Sequence, residues 1–140
     1  MQRANVVTSL DSSLQTIFAR NYYNNEFAGR VAASAIYSPT DFELDAFSGD
    51  RSAFIGRNNT LASPNALRKD QQLDHRFGVG REACAASQLV INLASGASID
   101  VYMLLAETED EDTARKLIQK YRNQSTIEES LQQVRRLLGN

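Results

Sequence analysis

At 140 residues with 42% hydrophobic and 23% charged content, the chain has the composition of one soluble globular domain with a moderate core, which excludes disordered and fibrous classes. Fifteen basic against seventeen acidic residues leave a formal net charge of -2, so nothing draws the whole chain to nucleic-acid phosphates or an anionic membrane. No apolar run approaches the roughly 20 residues that span a bilayer, and the start MQRANVVTSLDSS lacks a secretory segment, so a cytoplasmic location without a membrane segment is expected.

Between Val6 and Ala106 the apolar residues mostly recur with the period of two that half-buried strands require. Asn5 to Leu10 and Leu14 to Ala19 are the weaker strand candidates; Arg30 to Ser38 and Phe42 to Phe47 are the stronger ones. Loops are expected to occupy residues 48 to 85. Leu89, Ile91 and Leu93 then share one face, as do Ile99, Val101, Met103 and Leu105, and the short glycine-bearing run Ala94 to Ser98 between them predicts a hairpin.

After Glu107 the period changes to that of a helix. Ala114, Leu117, Ile118 and Tyr121 form one stripe, and the acidic cluster Glu107 to Asp112 precedes Arg115, Lys116, Lys120 and Arg122, the order a helix dipole favours. Ser125-Thr126-Ile127-Glu128 has capping-box spacing, Ile127, Leu131, Val134 and Leu138 make a second stripe, and Gly139 is placed to stop it. The expectation is a mainly β fold: an antiparallel β-sandwich over residues 1–106, then a helical pair over 107–140. Five to seven strands are few for a closed sandwich, so a face or edge is expected to need a partner chain.

Catalytic patterns mostly fail. Gly78-Val79-Gly80-Arg81-Glu82-Ala83 matches a dinucleotide-binding fingerprint, but a strand rather than a helix is predicted after it, so it reads as a glycine-rich loop. His75 is the only histidine and reads as a surface or loop-packing residue; Cys84 is the only cysteine, which rules out an internal disulfide and a four-thiolate zinc site. Asp41, Glu43, Asp45 and Asp50 stay unassigned, because carboxylate chemistry depends on separation in space. With no tryptophan, a self-contained sugar platform is not evident. No catalytic residue, metal or cofactor is assigned.

Asp50-Arg51-Ser52-Ala53-Phe54-Ile55-Gly56-Arg57-Asn58 followed by Ser63-Pro64-Asn65-Ala66-Leu67 resembles the "D-R-x-x-F-(I/L)-G-R … P-x-A-L" segment of the N-terminal β-sandwich of the cellobiose and chitobiose phosphorylase family, most of all the phosphorylase-like region of cyclic β-1,2-glucan synthases. The glycine loop at Gly78, the run Cys84 to Leu105, and Ala114 with Tyr121-Arg122 extend the resemblance to roughly residues 28–138. Glu82-Ala83 stands where that family has Asp-Pro, and no tryptophan lies near Leu137.

The resemblance implies part of a supersandwich, and a parent reaction of glycosyl transfer or metal-free phosphorolysis whose catalytic groups sit on a separate helical-barrel domain. This chain is therefore expected to be inactive alone: a carbohydrate-associated domain with a β-glucan as candidate ligand and a homodimer as candidate assembly. Arg51, Arg57, Asn58 and Asn59 are the candidate carbohydrate-binding residues, the arginines either pairing with carboxylates or reaching sugar hydroxyls. Phe54 and Ile55 would anchor the loop, and Gly56 would permit a backbone shape closed to other residues. The alternative is a protein-interaction module using a sheet edge or the helical pair.

Overall fold

The computed structural model describes residues 5–23, 25–40 and 42–139. Six strands, β1 (Val6–Asp11), β2 (Thr16–Asn21), β3 (Val31–Tyr37), β4 (Glu43–Asp50), β5 (Ala83–Val90) and β6 (Tyr102–Thr108), precede the helices α2 (Glu111–Tyr121) and α3 (Gln124–Leu137). A single helical turn and a half, α1 (Arg51–Ile55), follows β4 directly, and Asn65–Leu67 forms a 3-10 turn. The expected mainly β architecture with antiparallel sheets and C-terminal helices is borne out.

Strands β1, β2, β3 and β6 form one antiparallel sheet in that order, and β4 pairs with β5 in a second. In the larger sheet Phe18 lies opposite Ala33, and Ala33 opposite Ala106, so these residues share a face. α2 lies on it. Ala114 and Ile118 enter a core made with Phe18, Val31, Ala33 and Ala35, with Leu104 and Ala106 packed at its margin. The run of small residues in β3 lets the helix approach closely, while Phe18 and Ile118 are the largest fully buried side chains of this cluster; full burial of such a side chain contributes about 1.5–3 kcal/mol.

Polar contacts at the rim fix the helix's orientation. Arg115 sits with its guanidinium 5.3 Å from the Phe18 ring centroid and also pairs with Asp11 and Glu111. Arg122, just past the end of α2, donates to the Leu14 carbonyl in the β1–β2 turn, and burial pulls its pKa down.

The two sheets meet where β4 passes β1. A Cβ on Gly49 would come within 2.2 Å of Thr8 Oγ1 and 2.7 Å of Phe77, so the approach needs glycine. Thr8 then accepts from the Gly78 amide at 2.8 Å and its hydroxyl donates to the Gly49 carbonyl at 3.4 Å. Segment 75–78 stitches these together, with Gly49 N donating to Arg76 O at 2.8 Å and His75 N to Phe47 O at 2.9 Å.

Three expectations need correction. The hairpin between residues 87–93 and 99–105 does not form: β5 starts at Ala83 and ends at Val90, β6 starts at Tyr102, residues 91–101 lie outside both, and β5 pairs with β4 while β6 pairs with β3, in different sheets. Period-two alternation marks strands but not their partners, which nonlocal packing selects. The face assignment in β6 is also reversed. Leu104 and Ala106 meet the core, whereas Met103 and Leu105 are 76% and 79% exposed. At α3 the cap is Asn123, whose side chain accepts from Thr126 N at 3.1 Å, rather than Ser125. Gly139 does adopt the left-handed backbone of a helix stop, with φ of 76°.

Candidate functional site

The stretch from Asp50 to Asn59 folds because one carboxylate organises it. Asp50 ends β4 and caps α1, accepting from Ser52 N at 3.1 Å and Ala53 N at 3.3 Å, while its other oxygen accepts from Arg81 Nη1 at 2.7 Å. Burial alone would raise the pKa of this carboxyl; the Arg81 bond and the two amide donors more than reverse that and hold it below the usual carboxylate range. Asp50 is thus a structural clasp, which settles one of the unassigned carboxylates. Glu43 is exposed at the start of β4, and Asp41 and the side chain of Asp45 lie outside the described residues.

Arg51 is drawn into the same clasp. Its amide donates to the Glu82 carbonyl at 2.8 Å, its Nη1 to Glu82 Oε2 at 3.2 Å, and Ser52 Oγ reaches the same carboxylate at 3.3 Å. Gly56 then turns the chain at φ 83° and ψ 156°, a region essentially reserved for glycine, and a Cβ there would lie 2.6 Å from Asn65 Cβ. Phe54 and Ile55 are both half-buried: Phe54 borders a hollow of about 180 Å³ with Asn65, Ala66 and Leu73, and Ile55 faces the groove described below. Leu61 and Leu67 are exposed.

The four candidate sugar-contacting residues therefore separate into two pairs. Arg51 is held by Glu82, and Asn59 accepts from Arg68 Nη2 at 3.0 Å. Arg57 and Asn58 are exposed with no ion pair or hydrogen bond among the described residues, and Asn58 has a left-handed φ of 65° that turns the loop at its tip. Arg57 lines an open groove of about 530 Å³ together with Ser52, Ile55, Arg76 and Glu82. Arg76, whose Nε is 3.6 Å from Asp74 Oδ2, was not foreseen; it arrives through the 75–78 segment, some twenty residues along the chain, and no local pattern signals it.

This groove presents guanidinium donors beside a carboxylate and a hydroxyl, an array suited to hydroxyl-rich ligands. No aromatic ring lines it. Stacking is therefore not available in the groove, and hydrogen bonding that competes with water is what remains.

The remaining motifs take bland roles. The glycine loop bridges to β1 and leads into β5, not a helix. His75 rests edge-on against Phe47 with ring centroids 6.3 Å apart. Cys84 is half-buried; burial, with Asp50 and Asp74 nearby, pushes its thiol pKa up, which makes it a poor nucleophile. Among the described residues no cluster of His, Cys, Asp or Glu has a metal-binding arrangement, and no helix is long and apolar enough to cross a membrane.

Residues 1–124 match the family described as glycosyl hydrolase 94, supersandwich domain. Over 120 residues the chain is 27% identical to the cyclic beta-(1,2)-glucan synthase NdvB of Rhizobium meliloti (strain 1021), an alignment covering 86% of this chain and 4% of that protein. The chain thus spans a small part of the length of the relative it matches. The resemblance carried by the Asp50–Arg57 block is borne out, and with most of its length matched the chain belongs to the glycosyl hydrolase 94 supersandwich-domain family.

Proposed function

We propose that this chain is a non-catalytic, carbohydrate-associated domain that presents the Arg57–Asn58 loop to a glucan held mainly by a separate catalytic module. The observation that carries this reading is the contrast within one loop: Asp50, Arg81, Arg51 and Glu82 lock its base, while Arg57 and Asn58 stay free at its rim. A loop pre-ordered in this way offers donors to sugar hydroxyls at little entropic cost. The absence of an aromatic platform in the groove favours shaping a shared site over gripping a polymer alone.

The test is titration of the chain with β-1,2-linked gluco-oligosaccharides, followed by backbone amide NMR shifts. The expected result is weak binding with shifts confined to residues around Arg57, Asn58 and Arg76, abolished by Arg57→Ala. Shifts elsewhere, or a titration that Arg57→Ala leaves unchanged, would count against the loop as the sugar-facing element. The second reading, a protein-interaction module using a sheet edge, is favoured by β6, the last strand of its sheet, with whose outer edge nothing pairs among the described residues.

A further inference from the structure

The groove beside the Arg57–Asn58 loop carries an excess of positive charge, although the chain as a whole has a formal charge of -2. Four guanidinium groups, Arg51, Arg57, Arg76 and Arg81, stand in or beside it against three carboxylates, Asp50, Asp74 and Glu82. All three carboxylates are engaged from within the fold. Asp50 accepts from two amides and from Arg81; Asp74 accepts from Ser48 Oγ at 2.6 Å and from the Arg76 amide at 3.1 Å; one oxygen of Glu82 takes both Arg51 and Ser52.

The guanidinium groups are not matched in the same way. Arg81 and Arg51 answer Asp50 and Glu82, which leaves Arg57 with no counter-charge among the described residues. Arg76 is 61% exposed and reaches Asp74 only at 3.6 Å, beyond hydrogen-bond length, so its donors also face the open groove. We propose that the groove takes an acidic saccharide, whose carboxylate docks between Arg57 and Arg76 while the sugar ring lies along Ala53, Ile55 and Gly56. This ligand class presupposes that the Arg57–Asn58 loop faces a saccharide, and it narrows which one.

Charge selects this ligand. A carboxylate is planar and meets a guanidinium fork with two parallel charge-assisted hydrogen bonds, and it supplies the negative charge that the groove lacks. A neutral sugar offers the same donors only weaker, uncharged acceptors, and a cationic ligand is repelled by the excess. Both arginines face solvent, so the preference is modest and salt-dependent.

The test compares three ligands by backbone amide NMR titration: a β-1,2-linked glucose disaccharide, the same disaccharide with one ring oxidised to a uronic acid, and inorganic phosphate alone. At about 20 mM salt the acidic disaccharide should bind about fivefold tighter than the neutral one, with shifts at Arg57, Asn58 and Arg76, and the advantage should fall below about twofold at about 0.5 M salt. Arg57→Gln and Arg76→Gln each keep an N–H donor and remove the charge. Each should cut the advantage to about twofold, and an unchanged melting curve checks the fold, since both side chains are exposed. Equal affinities for the two disaccharides overturn the acidic preference and leave the loop facing neutral sugar. A loop that neither disaccharide shifts overturns the preference together with the sugar-facing role beneath it. Phosphate that binds as tightly as the acidic disaccharide overturns the saccharide as ligand and marks a plain oxyanion site.

Discussion

Replacing Asp50 by alanine should loosen the whole loop. The cap to Ser52 N and Ala53 N is worth about 1 kcal/mol. The bond from Arg81 is charge-assisted, but Arg81 is 34% exposed against 9% for Asp50, so solvent screening reduces its share to about 1 kcal/mol. Asp50→Ala is therefore expected to cost about 2 kcal/mol, and Asp50→Asn, which keeps an oxygen for the cap, about 1 kcal/mol. With a urea slope of about 2 kcal/mol/M, the midpoints should fall by about 1 M and about 0.5 M.

The same carboxyl sets an acid limit. Its folded pKa is lowered, so its contribution is complete above the unfolded value of about 3.9 and disappears as pH falls through the lower folded value. Asp50→Asn should flatten that part of the wild-type stability curve. Equal midpoints for the alanine and asparagine variants would refute the capping argument, and unchanged midpoints in both would refute the clasp itself.

Two further substitutions test the frame that carries this loop. Ile118→Ala empties the centre of the interface between α2 and the larger sheet and should cost about 2–5 kcal/mol by urea denaturation; a loss below about 1 kcal/mol would mean the helix is not held there. Gly56→Ala combines a forbidden backbone region with a 2.6 Å approach to Asn65, so a loss above about 1 kcal/mol is expected, together with faster amide exchange across α1 and the 3-10 turn.

Local chemistry was readable in the sequence because it depends on near neighbours. The period of two found β1 to β4, the acidic-to-basic order found α2, and the Asp50–Arg57 block identified the family. Arg51 and Arg57 look alike in sequence, yet one is neutralised by Glu82 and the other is free, because Glu82 reaches the loop only through the pairing of β4 with β5. Arg76 entered the groove by the same nonlocal route.

By itself the sequence determined β1 to β4 and the two C-terminal helices, where glycine must stand at Gly56, and to which family the chain belongs, since propensity, backbone sterics and motif identity act over a few residues. Only the tertiary structure decided that β5 and β6 part company, that Leu104 rather than Met103 faces the core, and that β6 is left with an open edge. An alternating strand offers two faces and two edges with nearly equal local energy, and the choice falls to whichever distant helix or strand buries them.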